Sequence, residues 1–368
     1  MKISCTQAKL NKGLSIVSRV VGTRTTLPVL SNIYIEAKDG QLKLSATDLE
    51  IGVTTSFGAK IDEDGALTVP ARLLSDFIAT NSDENLTLES KATTLHLKSQ
   101  HYEANIKGID PAEYPTLPDI SNDALVEIKS TDFSRAVSEV VIACAGDDTR
   151  PVLSGIYFKF EKGFLNLVAT DSYRLAEKKI VVAEVESEKE FIVPARTMQE
   201  VLRILSAVKN LEKIAISATE NQVSFTLGDT QIVSRLIEGA FPNYKQIIPT
   251  SFKSSALIDI HEFSSAIKMA SLFARQGGNN VKLRLTELEI VITSIADQVG
   301  DNVSRVPAEI TNESEEITFN AKYISDILQV LPDKKLLIEV NDKFSAAVIR
   351  PEKGDDFIYI IMPLRVEE

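Results

Sequence analysis

Tryptophan is absent from the 368 residues, histidine occurs three times and cysteine twice. Cys5 and Cys144 alone cannot build a disulfide framework, and His96, His101 and His261 leave no Cys/His set at zinc spacing. Long apolar runs are missing too, and the opening stretch Met1 to Gln7 has no apolar core of a secretion signal, so export and membrane spans are not expected and a reducing cytoplasm is. Positive charge is in deficit, 40 Lys and Arg against 52 Asp and Glu, a net charge of -12. Spread evenly, that charge argues against a nucleic-acid partner, because phosphate binding is driven by Lys and Arg releasing counterions. The sequence also lacks a P-loop, a Gly-rich dinucleotide turn, a nucleophile elbow and a His-Glu-x-x-His helix. With so few histidines, neither an enzyme nor a cofactor is expected.

What is present is ordinary core material, 44% hydrophobic residues, in a chain longer than one core usually fills. It is arranged as an internal repeat. Thr26-Leu27-Pro28-Val29-Leu30-Ser31 recurs as Arg150-Pro151-Val152-Leu153-Ser154, with Pro28 and Pro151 123 residues apart. Ala46-Thr47-Asp48 recurs as Ala169-Thr170-Asp171, and Val69-Pro70-Ala71-Arg72 as Val193-Pro194-Ala195-Arg196. A weaker third copy shows in Glu262-Phe263-Ser264-Ser265-Ala266-Ile267, which matches Asp132 to Val137, and in Asn320-Ala321-Lys322. Three copies follow, over 1-124, 125-252 and 253-368.

Within a copy the hydrophobic period changes in a fixed order. A helical stretch comes first (Leu10, Leu14, Val17, Val21; then Phe133, Val137, Val141, Cys144), followed by alternating strands such as Leu42, Leu44, Ala46 and Val223, Phe225, Leu227. A second helix begins after Val-Pro-Ala-Arg, carrying Leu73, Leu74, Phe77 and Ile78, then Val201, Leu202, Leu205 and Val208 in the second copy. Two helices on antiparallel sheet, three times over, make an α+β repeat with six helices.

The recurring Asp48 and Asp171 invite a metal-dependent or acid-base reading, but each copy has one carboxylate without a partner at useful spacing. A turn-capping Asp that binds nearby backbone N–H groups explains them better. More telling is a cation in the first turn of every second helix, Arg72, Arg196 and Lys322, where it opposes the helix macrodipole at a cost of a few tenths of a kcal/mol, on the order of 0.3. Further positive charge follows the helical segments: Lys9, Lys12, Arg19 and Arg24; Arg135, Arg203 and Lys209; Lys268, Lys334 and Lys335. Together they suggest a basic helical face on an acidic protein.

The Thr-Leu-Pro-Val-Leu-Ser-Asn element, Ala169-Thr170-Asp171-Ser172-Tyr173-Arg174-Leu175-Ala176, Gly239-Ala240-Phe241-Pro242-Asn243-Tyr244 and Ile361-Met362-Pro363-Leu364-Arg365 closely resemble the bacterial DNA polymerase III beta subunit family of replicative sliding clamps. The similarity covers the whole chain. It implies three clamp-type domains, with helices lining a central hole and antiparallel sheets outside, closed into a ring by a head-to-tail homodimer. Packing arithmetic agrees: twelve helices about 8 to 10 Å apart close a circle roughly 34 Å across their axes, leaving about 24 Å for a duplex about 20 Å wide, whereas six leave only a few Å.

The resemblance also implies partners and sites. Double-stranded DNA would be held without sequence preference by Arg24, Arg72, Arg196 and Lys322. The polymerase III catalytic subunit, the clamp loader and other replication and repair proteins would dock linear peptides in a cleft of Leu153, Thr170, Ser172, Arg174, Leu175, Pro242, Ile247, Ile360, Met362, Pro363, Leu364 and Arg365. Ile106 would meet Leu272 and Phe273 across the dimer contact. Ser172 replaces a common Gly, and Gln246 a common basic residue. An open three-domain protein scaffold that never encloses DNA is the alternative from another class, and a magnesium-dependent enzyme using Asp48 and Asp171 a weaker one.

Overall fold

Among the described residues, every α-helix begins where a strand ends. The computed structural model describes all residues except 23–26, 119, 121–123, 148, 184, 186–187, 209, 297, 299, 315 and 366–368. Among the described residues there are six α-helices: α1 Gln7–Val17, α2 Ala71–Thr80, α3 Ser130–Val141, α4 Ala195–Ala207, α5 Ile260–Ala274 and α6 Ala321–Val330. They follow directly on strands Lys2–Thr6, Gly65–Pro70, Val126–Lys129, Lys189–Pro194, Ser254–Asp259 and Ile317–Asn320. Each copy therefore opens with a strand that the sequence pattern did not reveal. The switch from strand to helix is made by caps: Thr6 accepts from the Lys9 amide, Asp259 from those of His261 and Glu262, and Asn320 from that of Lys322. Before α2, Pro70 does the same with φ of -53° and no side-chain bond.

The apolar stripes are buried largely as the periodicity predicts, with Leu10, Leu14, Val17, Phe133, Val137, Leu74 and Ile78 inside. The second helix of the middle copy is rotated relative to expectation. Its buried line is Met198, Val201 and Ile204, spaced by three, while Leu202 and Leu205 are half-buried. Val21 and Cys144 lie beyond the helix ends. Leu73 is exposed.

The chain forms two compact units, one of residues 1–131 and 199–236, the other of 132–198 and 237–368, so the middle copy contributes to both. In the first unit α1 packs on α2 and on strands Gln41–Thr47 and Ile51–Gly58. Its eight-stranded sheet joins two copies where Ile51–Gly58 pairs antiparallel with Thr230–Arg235, Ile51 opposite Ser234. A second sheet of five strands ends at Glu103–Lys107. In the second unit a twelve-stranded sheet makes the corresponding join: Arg174–Val181 pairs antiparallel with Phe357–Ile361, Arg174 opposite Ile361. There α5 packs on α6 and on strands Glu289–Ala296 and Gly300–Thr311.

Candidate functional site

The three repeated cations occupy the same place, the second residue of α2, α4 and α6. All three are exposed. Arg72 is 96% exposed and only loosely paired with Asp76 at 3.9 Å, and Lys322 Nζ lies 2.7 Å from Asp326 Oδ2. Arg24 and Lys209 lie outside the described residues. Two other helix cations serve the fold instead. Arg203 donates to the carbonyls of Ser15 and Ile16 at 3.1 and 2.7 Å, the favourable negative end of α1. Arg135 is bonded to the buried Glu139 at 2.7 Å. Lys9, Lys12, Arg19, Lys268 and Lys334 remain exposed.

The recurring carboxylates are turn caps. Asp171 Oδ1 accepts from the Tyr173 and Arg174 amides at 2.9 and 3.0 Å, and Thr170 Oγ1 donates to the Arg174 carbonyl at 2.7 Å while accepting from the Ser172 amide at 3.1 Å. Ser172 takes φ of +77°, a left-handed conformation that glycine adopts without cost. Ser172 offsets that strain by accepting from Arg150 Nη1 at 2.8 Å.

This corner forms one wall beside the C-terminal strand. The Met362 amide donates to the Tyr173 carbonyl at 2.8 Å, and the Leu364 amide to that of Thr318 at 2.8 Å, so the tail after Ile361 is tied down on both sides. Beneath lies an apolar cluster of Val168, Leu175, Tyr244, Val348 and Ile360. Tyr244 donates to Glu177 Oε1 at 2.7 Å and anchors the short turn Tyr244–Ile247, which leaves Ile247 49% exposed. Of the twelve expected cleft residues, all in the second unit, Leu153, Thr170, Leu175 and Ile360 are buried. Ser172, Pro242, Ile247, Met362 and Arg365 are exposed, and Pro363 and Leu364 are half-buried.

Arg174 is 7% exposed and braces the corner from behind. Nε donates to Asp171 Oδ2 at 3.0 Å and Nη1 to Asp326 Oδ2 at 2.6 Å, with the guanidinium 4.3 Å from the Tyr323 ring centroid. Burial works against its charge, but Tyr359 and the two carboxylates more than offset that and hold its pKa above the ordinary arginine value. The pattern search missed Asp326 and Tyr323 on α6. The signal was there: Arg174 stands where the first copy has Ile51, and an arginine at a core position demands a carboxylate.

Ile106 is 3% exposed within its own sheet. What its strand Glu103–Lys107 offers is a backbone edge, since among the described residues it lies at the end of its sheet, paired with Thr94–Lys98. Leu272 on α5 is 57% exposed and Phe273 half-buried. Burial pushes the Cys5 thiol up to about 11 and that of Cys144 up to about 12, so neither is a ready nucleophile. Among the described residues no three His, Cys, Asp or Glu stand together as a metal site, and no helix is long and apolar enough to cross a membrane.

Residues 1–118, 127–243 and 245–365 match, in turn, the N-terminal, central and C-terminal domains of the DNA polymerase III beta subunit. The beta sliding clamp of Synechococcus elongatus is 32% identical over 375 residues, spanning 100% of both chains, and that of Staphylococcus aureus 32% identical over 359 residues, 94% of each. Among solved structures, the DNA polymerase sliding clamp from Bacillus subtilis superposes with a TM-score of 0.95 at 28% identity. The sliding clamp of Bartonella birtlesii bound to griselimycin does so with 0.93 at 28%, both over 100% of each chain.

Proposed function

Because the chain belongs to the DNA polymerase III beta subunit family, the bacterial sliding clamps, we propose that two head-to-tail copies close around DNA with Arg72, Arg196 and Lys322 toward the duplex and the cleft outside for partners. The protein is a ring-shaped clamp that encircles duplex DNA and tethers the replicative polymerase for processive synthesis. Its three domains are taken as 1-124, 125-252 and 253-368.

Ring closure is supported by the strand edges left over when the copies are compared. The first copy's strand Ile51–Gly58 receives the last strand of the second copy, and the second copy's Arg174–Val181 receives the last strand of the third. The third copy's counterpart, Gly300–Thr311, pairs along residues 300–307 with Glu289–Ala296 on one side, while Ser254–Asp259 covers only 308–311 on the other. That leaves one receiving edge and one donor edge, Glu103–Lys107. Two copies joined head to tail pair these two edges with each other at each of two contacts. Exposed Leu272 and Val303 supply apolar surface for the contact.

Cations facing the hole attract phosphates without touching bases, so the ring slides and reads no sequence. The acidic remainder of the chain discourages DNA from binding elsewhere. The cleft of the second unit, with adaptable Met362 and exposed Pro242 and Ile247 over apolar residues, takes linear segments of the polymerase III catalytic subunit, the clamp loader and repair proteins, and by this reading it is also where griselimycin, found bound to the Bartonella birtlesii clamp, would sit. The clamp is a non-catalytic protein of the cytoplasm.

The test is topological. Loaded on a nicked circle, the clamp stays bound in high salt and is lost when the circle is cut open. An open scaffold predicts no difference between circle and line, and that outcome would replace the ring.

A further inference from the structure

Two working surfaces of the second unit meet at one oxygen atom. Asp326 Oδ2 accepts from Arg174 Nη1 at 2.6 Å and from Lys322 Nζ at 2.7 Å. Arg174 braces the corner whose Tyr173 carbonyl holds the Met362 amide. Lys322 is the cation in the first turn of α6. The two pairs differ in kind. Arg174 is buried and has no water to fall back on, whereas Lys322 is 64% exposed. Its bond to Asp326 is a surface pair four residues apart on a helix, of a class that contributes little to stability and is readily exchanged for another anion. Both cations also crowd a single negative charge, so each weakens the other's hold.

We propose that Asp326 is a positioning residue that couples the phosphate-facing Lys322 to the wall of the partner cleft. When a DNA phosphate draws Lys322 away, the whole carboxylate charge falls to Arg174, and the corner carrying Ser172 and Tyr173 is held more firmly against the Met362 segment. A ligand then meets a wall already in place and loses less freedom on binding. DNA in the ring and a ligand in the cleft therefore favour one another, and by linkage to the same extent. This rests on the cleft and phosphate roles given above and adds the connection between them.

Calorimetry on the full-length protein with griselimycin as the probe separates the possibilities. Lys322→Met should tighten binding about two- to fivefold, the low end of couplings between sites because the lysine is exposed. Asp326→Asn should weaken it by about fivefold. In the double variant the lysine change should have no further effect, because the connection runs only through Asp326. A short linear duplex, threaded through the ring at low salt, should tighten binding to the wild type and leave Lys322→Met unmoved. Equal affinity of wild type and Lys322→Met, or a duplex effect that survives in Lys322→Met, overturns the coupling alone. Griselimycin binding untouched by Ile247→Asp overturns the cleft assignment, and the coupling with it.

Discussion

The corner Thr47 to Ile51 in the first unit and the corner Thr170 to Arg174 in the second are the same piece of backbone used twice. Thr47 Oγ1 donates to the Ile51 carbonyl at 2.9 Å and accepts from the Leu49 amide at 3.0 Å, as Thr170 does at 2.7 and 3.1 Å. Leu49 has φ of +78° and Ser172 +77°. Even the join to the next strand is repeated: the Arg235 amide donates to the Glu50 carbonyl at 3.0 Å, as the Met362 amide does to that of Tyr173 at 2.8 Å. The side chains placed on this common frame differ. Over the first corner Glu50 and Arg235 form a loose ion pair at 3.8 Å, both 64% exposed. Over the second stand Tyr173 and Met362, apolar and 56% and 39% exposed. Behind the first is Ile51, at home in the core; behind the second is Arg174 with its two carboxylates. Backbone geometry alone thus makes a join between copies, and three side-chain choices set apart the join that we propose as the docking site.

Making the second corner resemble the first from behind should have the largest effect. Arg174→Ile leaves Asp171 and Asp326 without their buried partner, and breaking such a pair costs about 3 to 5 kcal/mol. The lower figure is expected, because Asp326 keeps Lys322. Urea unfolding should show the midpoint falling with the slope unchanged, and griselimycin binding should be lost. A loss under about 1 kcal/mol would mean that the corner holds itself up and needs no brace.

The shared frame was legible in the sequence because it is local. Thr-Asp and the residues after them carry their own hydrogen-bond partners within four positions, so the turn could be read from either copy. The apolar stripes of α1 and α3 were legible for the same reason, since helical period is a local property. What the pattern did not reveal is the long-range part. Arg174 and Asp326 are 152 residues apart, and nothing about Asp326 on an amphipathic helix separates it from a solvated carboxylate until the fold places α6 beside the corner. Ile106 shows the same limit: the resemblance places it in the last strands of the first copy, but only the fold shows that its strand lies at a sheet edge and that its side chain is buried within its own sheet.

Changing the outer face gives the next largest effect. Tyr173→Glu with Met362→Arg puts the first corner's ion pair on the second, leaving the backbone bonds and Arg174 untouched. Stability should move by no more than about 0.5 kcal/mol, as for exposed positions generally. Griselimycin affinity should fall at least about tenfold, equivalent to about 1.4 kcal/mol, since the apolar contact of a methionine is removed. Calorimetry decides the matter, and undiminished affinity would put the docking surface elsewhere than over this corner.

The smallest change tests whether the two frames carry the same strain. An L-residue in the left-handed region costs about 1 to 2 kcal/mol, and glycine relieves it while adding about 0.4 to 1 kcal/mol of unfolded-state entropy to be overcome. Leu49→Gly removes a side chain that is 46% exposed, so the relief wins and stability should rise by about 0.5 kcal/mol. Ser172→Gly gains the same relief but gives up the hydrogen bond from Arg150, worth about 0.5 to 1 kcal/mol, and should come out near zero. The sign of the difference between the two midpoints is what matters. If Ser172→Gly stabilises more than Leu49→Gly, then the Arg150 bond does not hold the second corner, and serine there serves the cleft rather than the turn.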